Sequence, residues 1–374
     1  MKRRRFLGVS AAATAGLLLS QTDCAMGNGT RVAADALRPR DPPRIPRWRG
    51  FNLTELTGGQ RGQAFLESDF AWLAGWGFDF ARLPLNYWAW SDRNDWLRID
   101  ESALQPVDQA IEWGRQYGIH VNLCLHRIPG YCVNQRELEP FLLFDSPRDS
   151  LERALTATTY HWSTFAERYR GIPSERLSFD LFNEPPWMAD QTRYVEVARA
   201  LIAAIREKDD ARLIFADGAD IGQTPVPGLA DLGLVHSTRG YLPKMVSHYT
   251  ATWVPANEFE SLAQPTWPMT DAHGRLWNRE TLRHELIEKW APFTSRGIPI
   301  HVGEWGCFTR TPHEVTLAWM ADLLALWQEA GWGWSMWNLR GSFGPVDSGR
   351  ADVAYEDFHG HQLDRAMLEL LLAH

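Results

Sequence analysis

Positive charge is in short supply along this chain. Of its 374 residues, 38 are lysine or arginine and 46 are aspartate or glutamate, which gives a net charge of −8 and a sequence pI of about 5.9. A protein that binds nucleic acid needs a basic surface to meet the phosphates. The acidic balance therefore argues against a nucleic-acid partner.

Cysteine is also scarce, with four in the whole sequence. No CxxC pair and no Cys/His spacing typical of zinc occurs, which argues against a zinc ribbon. Cys124, Cys132 and Cys307 cannot all pair with one another, so we expect buried free thiols. His359-Gly360-His361 has no third ligand at a recognisable spacing. The sequence predicts no metal and no organic cofactor.

Long apolar runs are missing as well. The Ala/Leu-rich run that ends near Leu19 is too short for a comfortable membrane span, so we expect no stable membrane insertion. It follows the basic stretch Lys2-Arg3-Arg4-Arg5, and this order resembles a twin-arginine export signal. We interpret residues 1–27 as this signal and expect a periplasmic or extracellular protein. A frayed basic terminus of a cytosolic protein is the alternative.

Asp23 precedes Cys24, and an acidic residue there argues against lipid anchoring at that cysteine. Residues 28–45 hold Gly, Arg and Pro with little apolar periodicity, which is typical of a linker. We expect one catalytic domain over residues 46–374, since no second linker, repeat or low-complexity tract follows. The sequence does not fix the oligomeric state, and a monomer is the simpler expectation.

Tryptophan is abundant, with 19 in the chain. Indole rings stack on the C–H faces of sugars, which favours a carbohydrate partner, although most of them are expected to fill the core. The apolar content of 45% is enough for a large single core.

Helix-like and strand-like segments alternate through the predicted domain. The helical candidates are Glu67–Trp76, Ser102–Tyr117, Leu151–Tyr169, Thr192–Glu207, Arg279–Thr294, His313–Ala330 and Asp364–Leu372. The strand candidates are Arg49–Leu53, Phe78–Leu83, Ile119–Leu125, Leu177–Phe182, Leu213–Ala216, Met245–Ser247, Ile298–Gly303 and Gly333–Trp337. This alternation predicts an α/β fold, a (β/α)8 TIM barrel. A doubly wound open sheet is the alternative, weakened because no Gly-rich nucleotide loop follows the first strand.

Two predicted strands lead to a glutamate, in Leu181-Phe182-Asn183-Glu184-Pro185 and His301-Val302-Gly303-Glu304-Trp305. Two carboxylates from different strand ends are the minimal equipment for cleaving a glycosidic bond. The period of two along a strand places Glu184 on the inward face with His126 and Trp337. Parity does not decide the direction of Glu304, because the apolar Ile300 and Val302 share its face.

Five segments occur in the order found in family 5 glycoside hydrolases, the cellulase-type group of retaining barrels, and the chain resembles that family. They are Phe80-Ala81-Arg82-Leu83-Pro84-Leu85, Leu125-His126-Arg127-Ile128-Pro129-Gly130, Asn183-Glu184-Pro185, Gly303-Glu304-Trp305-Gly306 and Trp334-Ser335-Met336-Trp337-Asn338. The resemblance covers nearly the whole predicted domain.

The resemblance implies that Glu184 is the general acid/base and Glu304 the nucleophile of a retaining double displacement. The acid must keep a proton near neutral pH, which requires an apolar or anionic environment, and the nucleophile must stay ionised beside a cation. Arg82 is the candidate cation. The candidate apolar neighbours of Glu184 are Phe182, Pro185, Pro186 and Trp187.

Further residues are candidates for binding the sugar. Asn183 is expected to face a 2-hydroxyl group, His126 to bind hydroxyls or orient the site, and Trp337 to form a stacking floor. The family usually carries His-x-Tyr on the sixth strand, whereas His248 and Tyr249 are adjacent here. Since neighbours on a regular strand point in opposite directions, only one of them reaches the site unless the strand bulges or ends there.

Two other functions are open at this stage. A catalytically weak carbohydrate-binding barrel is the first, and a metal-dependent amidohydrolase-type barrel is the second, although no first-strand His-x-His is present. The substrate is equally open among β-1,4-glucan, β-1,3-glucan, β-mannan and smaller β-glycosides. Exo or endo action is undecided, and the resemblance of the segment His126–Gly130 to the third-strand loop of the family's exo-glucanase-like branches slightly favours exo-type β-glucosidic activity.

Overall fold

Eight parallel strands close into a barrel in the computed structural model, which describes residues 35–254 and 263–374. Each strand pairs with the next one along the chain, and the first pairs with the last. The strands are β1 Arg49–Asn52, β2 Phe80–Asn86, β3 His120–Arg127, β4 Leu177–Asp180, β5 Leu213–Asp217, β6 Val235–Gly240, β7 Ile300–Trp305 and β8 Gly333–Met336. The predicted (β/α)8 barrel is confirmed.

Six longer helices surround the strands, at α1 Glu67–Trp76, α2 Gln105–Tyr117, α3 Arg148–Arg168, α4 Thr192–Lys208, α5 His313–Ala330 and α6 Arg365–Leu372. All six were predicted within a few residues. Three of them end at a glycine with a left-handed backbone: Gly77, Gly118 and Gly331 have φ of 86°, 72° and 72°.

Short helical turns and ribbons fill the connections. The predicted helix Arg279–Thr294 is a succession of α, π and 3-10 turns, at Arg279–Leu282, Arg283–Ile287, Glu288–Trp290 and Ala291–Thr294. The other short helical turns are Tyr87–Ala89, Glu101–Leu104, Arg136–Leu138, Ala219–Gly222, Pro227–Leu229 and Lys244–Ser247. Three two-stranded ribbons pair Ser91–Asp92 with Asp95–Ile99, Met269–Thr270 with Leu276–Trp277, and Glu356–Phe358 with His361–Leu363.

The prediction for the sixth strand is wrong. Residues 245–247 lie in the helical turn Lys244–Ser247, and β6 is Val235–Gly240 instead. Only its first residue is a large apolar one, so the segment carries no hydrophobic pattern. Its polar side chains point both ways: Thr238 bonds the carbonyl of Gly222 outside, and Arg239 lies inside. A strand that is polar on both faces escapes a search for apolar runs.

Aromatic and imidazole rings fill the floor of the barrel. Trp48, just before β1, stacks on His120 with ring centroids 3.8 Å apart, and Phe80 lies 4.6 Å from His301 by the same measure. Phe215 joins them from β5. This layer closes the end of the barrel opposite to the carboxyl ends of the strands, so the open end is where polar side chains can meet a ligand.

The segment before β1 lies against the outside of this floor. The backbone N–H of Arg40 donates to the Asp231 carbonyl (2.8 Å), and Arg206 of α4 donates to the carbonyl of Ala36 (3.1 Å). The predicted export signal, with Cys24, lies outside the described residues. Cys124, Cys132 and Cys307 are buried and unpaired, as expected. Within the described ranges, none of the helices is long and apolar enough to cross a membrane.

Truncating Trp48 in the floor of the barrel should destabilise the fold. We expect Trp48→Ala to lower the free energy of unfolding by about 3–5 kcal/mol, because it removes a buried indole from a packed layer. Trp187→Ala is the matched control, since Trp187 is 71% exposed, and its effect should stay within about 0.5 kcal/mol. Denaturant unfolding followed by circular dichroism measures both, and equal losses would contradict the assigned role of Trp48.

Candidate active site

Glu184 and Glu304 meet at the open end of the barrel, and both are buried. Glu184 lies just after β4. Its backbone is left-handed (φ 51°), its N–H donates to Asp217 Oδ2 (2.8 Å), and its carbonyl accepts a hydrogen bond from the Tyr131 hydroxyl (2.6 Å). The main chain is therefore held from both sides in a conformation that non-glycine residues seldom adopt.

Glu304 reaches the interior through a bulge. Along β7, Val302 pairs with Thr238 and Glu304 pairs with Arg239, so Gly303 is an extra residue in this strand. The bulge lets Val302 pack on the outer core while Glu304 turns inward, which resolves the parity conflict in the sequence. A side chain at Gly303 has no room, since its Cβ would lie 2.5 Å from Ser237 Oγ.

Arg82 of β2 is the predicted cation beside Glu304, and its Nη1 donates to Glu304 Oε1 (2.6 Å). Its remaining N–H groups are also occupied. Their acceptors are Asp180 Oδ2 at 3.0 Å, Asn52 Oδ1 at 2.9 Å, Cys124 Sγ at 2.9 Å and Asn183 Oδ1 at 2.9 Å. The guanidinium is fixed in one orientation by partners from several strands.

A second buried guanidinium, that of Arg239 at the end of β6, was missed in the sequence. Its Nε donates to Glu184 Oε1 (3.2 Å), and its Nη2 lies 3.6 Å from Glu304 Oε1. It also forms a bidentate ion pair with Asp217 of β5. The two glutamates thus lie beside one shared cation. The signal that could have found it is the spacing Arg239-Gly240-Tyr241, which keeps the family's x-Tyr position with arginine in place of histidine.

Tyr241, and not Tyr249, is the tyrosine that the sixth strand brings to the site. Its hydroxyl donates to Glu304 Oε2 (3.3 Å). Because Lys244–Ser247 is helical, the predicted placement of His248 and Tyr249 on the sixth strand is wrong. The His248 ring packs beside Tyr241 with centroids 4.9 Å apart, and its Nδ1 lies 2.8 Å from Ser247 Oγ, so it borders the site behind this tyrosine. Tyr249 is half-buried.

The two carboxyl groups are held in opposite charge states. Burial raises the pKa of Glu184 to about 8, and the charge of Glu304 adds to this rise while Arg239 opposes it. Burial alone would also raise the pKa of Glu304, but the charges of Arg239 and Arg82 outweigh it and hold the pKa below its usual value. At neutral pH one group keeps its proton and the other is an anion.

Two of the four sequence neighbours predicted to give Glu184 an apolar environment, Trp187 and Phe182, point away from it. Trp187 is largely exposed, and the Phe182 ring points toward Tyr194 of α4 and Phe144, away from the barrel axis. The prediction that Phe182 lies on the same side as Glu184 as its apolar neighbour is wrong, because β4 ends at Asp180 and the alternation of side chains ends there too. The proton on Glu184 therefore depends on burial and on Glu304.

The three predicted sugar-binding side chains lie around the pair. Asn183 is buried, its Oδ1 accepts from Arg82 and Arg239, and its Nδ2 has no hydrogen-bond partner. His126 stacks on Trp337 with centroids 5.5 Å apart, and its Nδ1 also lacks a partner. Burial lowers the pKa of His126 to about 4, so its ring is neutral. Together they offer a donor, a neutral imidazole and a stacking face.

Metal ligands do not gather anywhere in residues 35–254 and 263–374, where no group of three His, Cys, Asp or Glu side chains could hold an ion. His361 pairs with Asp347 and Arg340 instead. The arrangement at the open end is a pair of carboxyl groups, and its chemistry is proton transfer and nucleophilic attack.

Comparison with known sequences gives a family match over most of the chain. The family profile described as Cellulase (glycosyl hydrolase family 5) matches residues 41–342. Among curated proteins, Endoglucanase C of Acetivibrio thermocellus is 24% identical over 295 residues, which covers 73% of this chain and 83% of the relative.

Solved structures give the same fold. A glycoside hydrolase structure aligns with a TM-score of 0.81 at 35% identity and covers 87% of this chain and 99% of its own. Cel5A of Thermotoga maritima, solved with cellobiose, aligns with a TM-score of 0.68 at 20% identity, over 87% of this chain and 96% of its own. At that identity the second likeness concerns the fold alone.

The opposed charge states can be tested directly. We expect Glu304→Gln to lower the pKa of Glu184 by about one unit or more, because it removes a buried negative charge that favours the protonated form. Carbon-13 NMR titration of labelled glutamate carboxyls measures it. Glu329 is an exposed residue of α5 that accepts a hydrogen bond from Arg283. The control variant Glu329→Gln should leave the pKa of Glu184 unchanged. A pKa of Glu184 that stays or rises in Glu304→Gln contradicts the coupling.

Proposed function

This chain belongs to glycosyl hydrolase family 5, and from that premise we propose that Glu184 and Glu304 cleave a β-glucan with retention of anomeric configuration. Membership of the family makes the protein a glycosidase, which hydrolyses O-glycosidic bonds. One observation carries the assignment of roles: two buried carboxyl groups lie beside the same guanidinium and have pKa values displaced in opposite directions.

In the first step Glu304, an anion beside Arg82 and Arg239, attacks the anomeric carbon while Glu184 gives its proton to the departing oxygen. Glu184 Oε1 accepts a hydrogen bond from Arg239, so the proton resides on Oε2. The bond from the anomeric carbon to the leaving oxygen breaks, and an ester to Glu304 forms.

In the second step Glu184 acts as a base toward water. Once Glu304 is an ester, its negative charge is gone, and with it the repulsion that helped keep the proton on Glu184. The pKa of Glu184 therefore falls at the stage when this group must accept a proton. Water attacks the same carbon from the side that the leaving group vacated, and the sugar departs with net retention.

Three side chains serve the sugar in this proposal. Asn183 has a buried Nδ2 without a partner, and donating to the 2-hydroxyl group would satisfy it most fully in the transition state. Trp337 and His126 form a stacked pair at the mouth, where a sugar ring can lie against the indole. Tyr241 steadies Glu304 through its hydroxyl.

A glucan is the substrate class that we extend to this chain from its relatives. Similarity to an endoglucanase over 73% of the chain supports it. The export signal predicted for residues 1–27 agrees with it, since an exported enzyme meets polysaccharides that are too large to enter a cell. A panel of β-linked glucans, mannan and aryl β-glycosides separates the substrates and the endo from the exo mode.

Substrates with leaving groups of different acidity distinguish the roles of the two glutamates. We expect Glu304→Gln to lose several orders of magnitude in kcat/KM on every substrate, because no ester can form. Glu184→Gln should lose about 10²–10⁴-fold on a glucan but much less on a dinitrophenyl glycoside, whose leaving group needs no proton to depart.

Glu329→Gln serves as the control for the loss of one carboxylate and should keep wild-type rates. NMR of the first-formed product should show the β-anomer. An inverted product, near wild-type turnover in Glu304→Gln, or sugar binding without any turnover on the whole panel would overturn the proposal.

The rate should follow a bell-shaped dependence on pH. The reaction needs Glu304 ionised and Glu184 protonated, so kcat/KM rises as Glu304 loses its proton below the usual carboxyl range and falls as Glu184 loses its own near pH 8. Initial rates in well-buffered solutions between pH 3 and 10 measure both limbs of this profile. A rate that is still constant above pH 9 would exclude Glu184 as the acid.

A further inference from the structure

Arg239 contacts more of the site than any role in the proposed mechanism requires. Its guanidinium bonds Glu184, Asn183 and Asp217 and lies 3.6 Å from Glu304. It is fully enclosed, with its side chain 0% exposed. It is thus a buried junction between the two proposed catalytic carboxyl groups and the amide expected to face the sugar.

Asp217 is the fixed counterpart of this arginine. Both of its carboxylate oxygens accept from Arg239, and Oδ2 also accepts the backbone N–H of Glu184 (2.8 Å). Arg239 therefore holds the side chain of Glu184 while Asp217 holds its main chain, and the two are bonded to each other. The left-handed backbone of Glu184 is anchored through this unit.

The surrounding backbone leaves a place for the arginine. A Cβ on Gly222 would lie 2.8 Å from Arg239 Cγ, and a Cβ on Gly303 would lie 2.8 Å from its Nη1. Two glycines, one in the helical turn after β5 and one in β7, therefore border the same side chain. A long, permanently charged group is built into this position, and it does not merely fill a gap.

An arginine at this position differs from a histidine in its charge, as the buried histidines of the barrel show. Burial lowers the pKa of His120 and His301 to about 3, so imidazoles enclosed in this barrel are neutral. A guanidinium stays charged under the same conditions. Arg239 thus supplies a permanent cation where the family's usual His-x-Tyr spacing would supply a ring.

We propose that Arg239 and Asp217 form a positioning pair that orients Glu184 by its side chain and its main chain and holds it beside Glu304. The inference rests on the proposed roles of the two glutamates. Neither residue of the pair exchanges a proton or bonds to the sugar. Their effect is to fix the direction of the acid and to set the charge that both carboxyl groups experience.

The charged groups around the two glutamates give the pair a measurable signature. Glu184 faces Glu304, Arg239, Asp217 and Arg82, and Glu304 faces His126 and the Tyr241 hydroxyl in addition to the two arginines. In this set, Arg239 favours the anionic form of both glutamates, whereas Asp217 favours the protonated form of Glu184. Neutralising Arg239 must therefore move the alkaline limb of the pH profile to higher pH, and neutralising Asp217 must move it to lower pH.

The experiment compares kcat/KM against pH for Arg239→Gln and Arg239→Lys. Arg239→Gln should move both limbs to higher pH by about one unit or more, since both carboxyl groups lose a stabilising cation, and should lower the maximum about 10- to 100-fold. Arg239→Lys keeps the charge and should hold the limbs near their wild-type positions while recovering part of the rate. Loss of rate in Arg239→Gln with both limbs in place would reduce Arg239 to a packing residue and overturn the proposal.

Asp217→Asn tests the other member and decides the matter if Arg239→Gln does not fold. Its alkaline limb should move to lower pH, and an unmoved limb overturns the proposal. Arg206→Gln is the control for losing a buried arginine, because the hydrogen bonds that Arg206 makes within the described residues go to the backbone carbonyls of Ala36 and Leu232, away from the open end of the barrel. Its limbs should match the wild type. Failure of the glutamate roles themselves would show separately, as turnover in Glu304→Gln.

Discussion

Two guanidinium groups buried among carboxyl groups are the constraint on which the open end of this barrel depends. Arg82 and Arg239 are about 1% exposed, and each must find partners for all of its N–H groups away from water. Their acceptors come from β1, β3, β4, β5, β6 and β7 and from the loop that follows β4. Breaking one such pair would leave a buried charge without compensation, at a cost of about 3–5 kcal/mol. The same contacts that satisfy the arginines therefore align the reacting groups.

Backbone irregularity is the second condition for the site. Regular alternation would send Glu304 outward with Ile300 and Val302, and the bulge at Gly303 reverses it. Glu184 lies beyond the end of β4 with a left-handed backbone that Asp217 and Tyr131 hold in place. Both glutamates thus lie where the backbone of the barrel is irregular, and hydrogen bonds from neighbouring segments hold these irregular conformations in place.

Much of the fold could be predicted because its signals are local. Apolar periodicity and the glycines that end α1, α2 and α5 gave six helices, and short apolar runs gave seven of the eight strands. β6 was missed because Ser237 and Arg239 face the interior while His236 and Thr238 face the helices, so neither side is a row of apolar residues. A strand with charged and polar side chains on its interior face can be recognised only from the strands with which it pairs. Arg239 and Tyr241 were lost from the predicted site together with it.

The sequence by itself determined which residue types are available and at which strand ends they stand: Glu184, Glu304, Arg82, Asn183, His126 and Trp337, in the order of a family 5 barrel. Such information is carried by period and motif. Only the tertiary structure shows why Glu184 keeps its proton while Glu304 is ionised, because the pKa of each depends on burial and on Arg239, which is distant in sequence from both. Electrostatic interactions depend on the distances between charged groups in the folded protein, and the sequence does not give these distances.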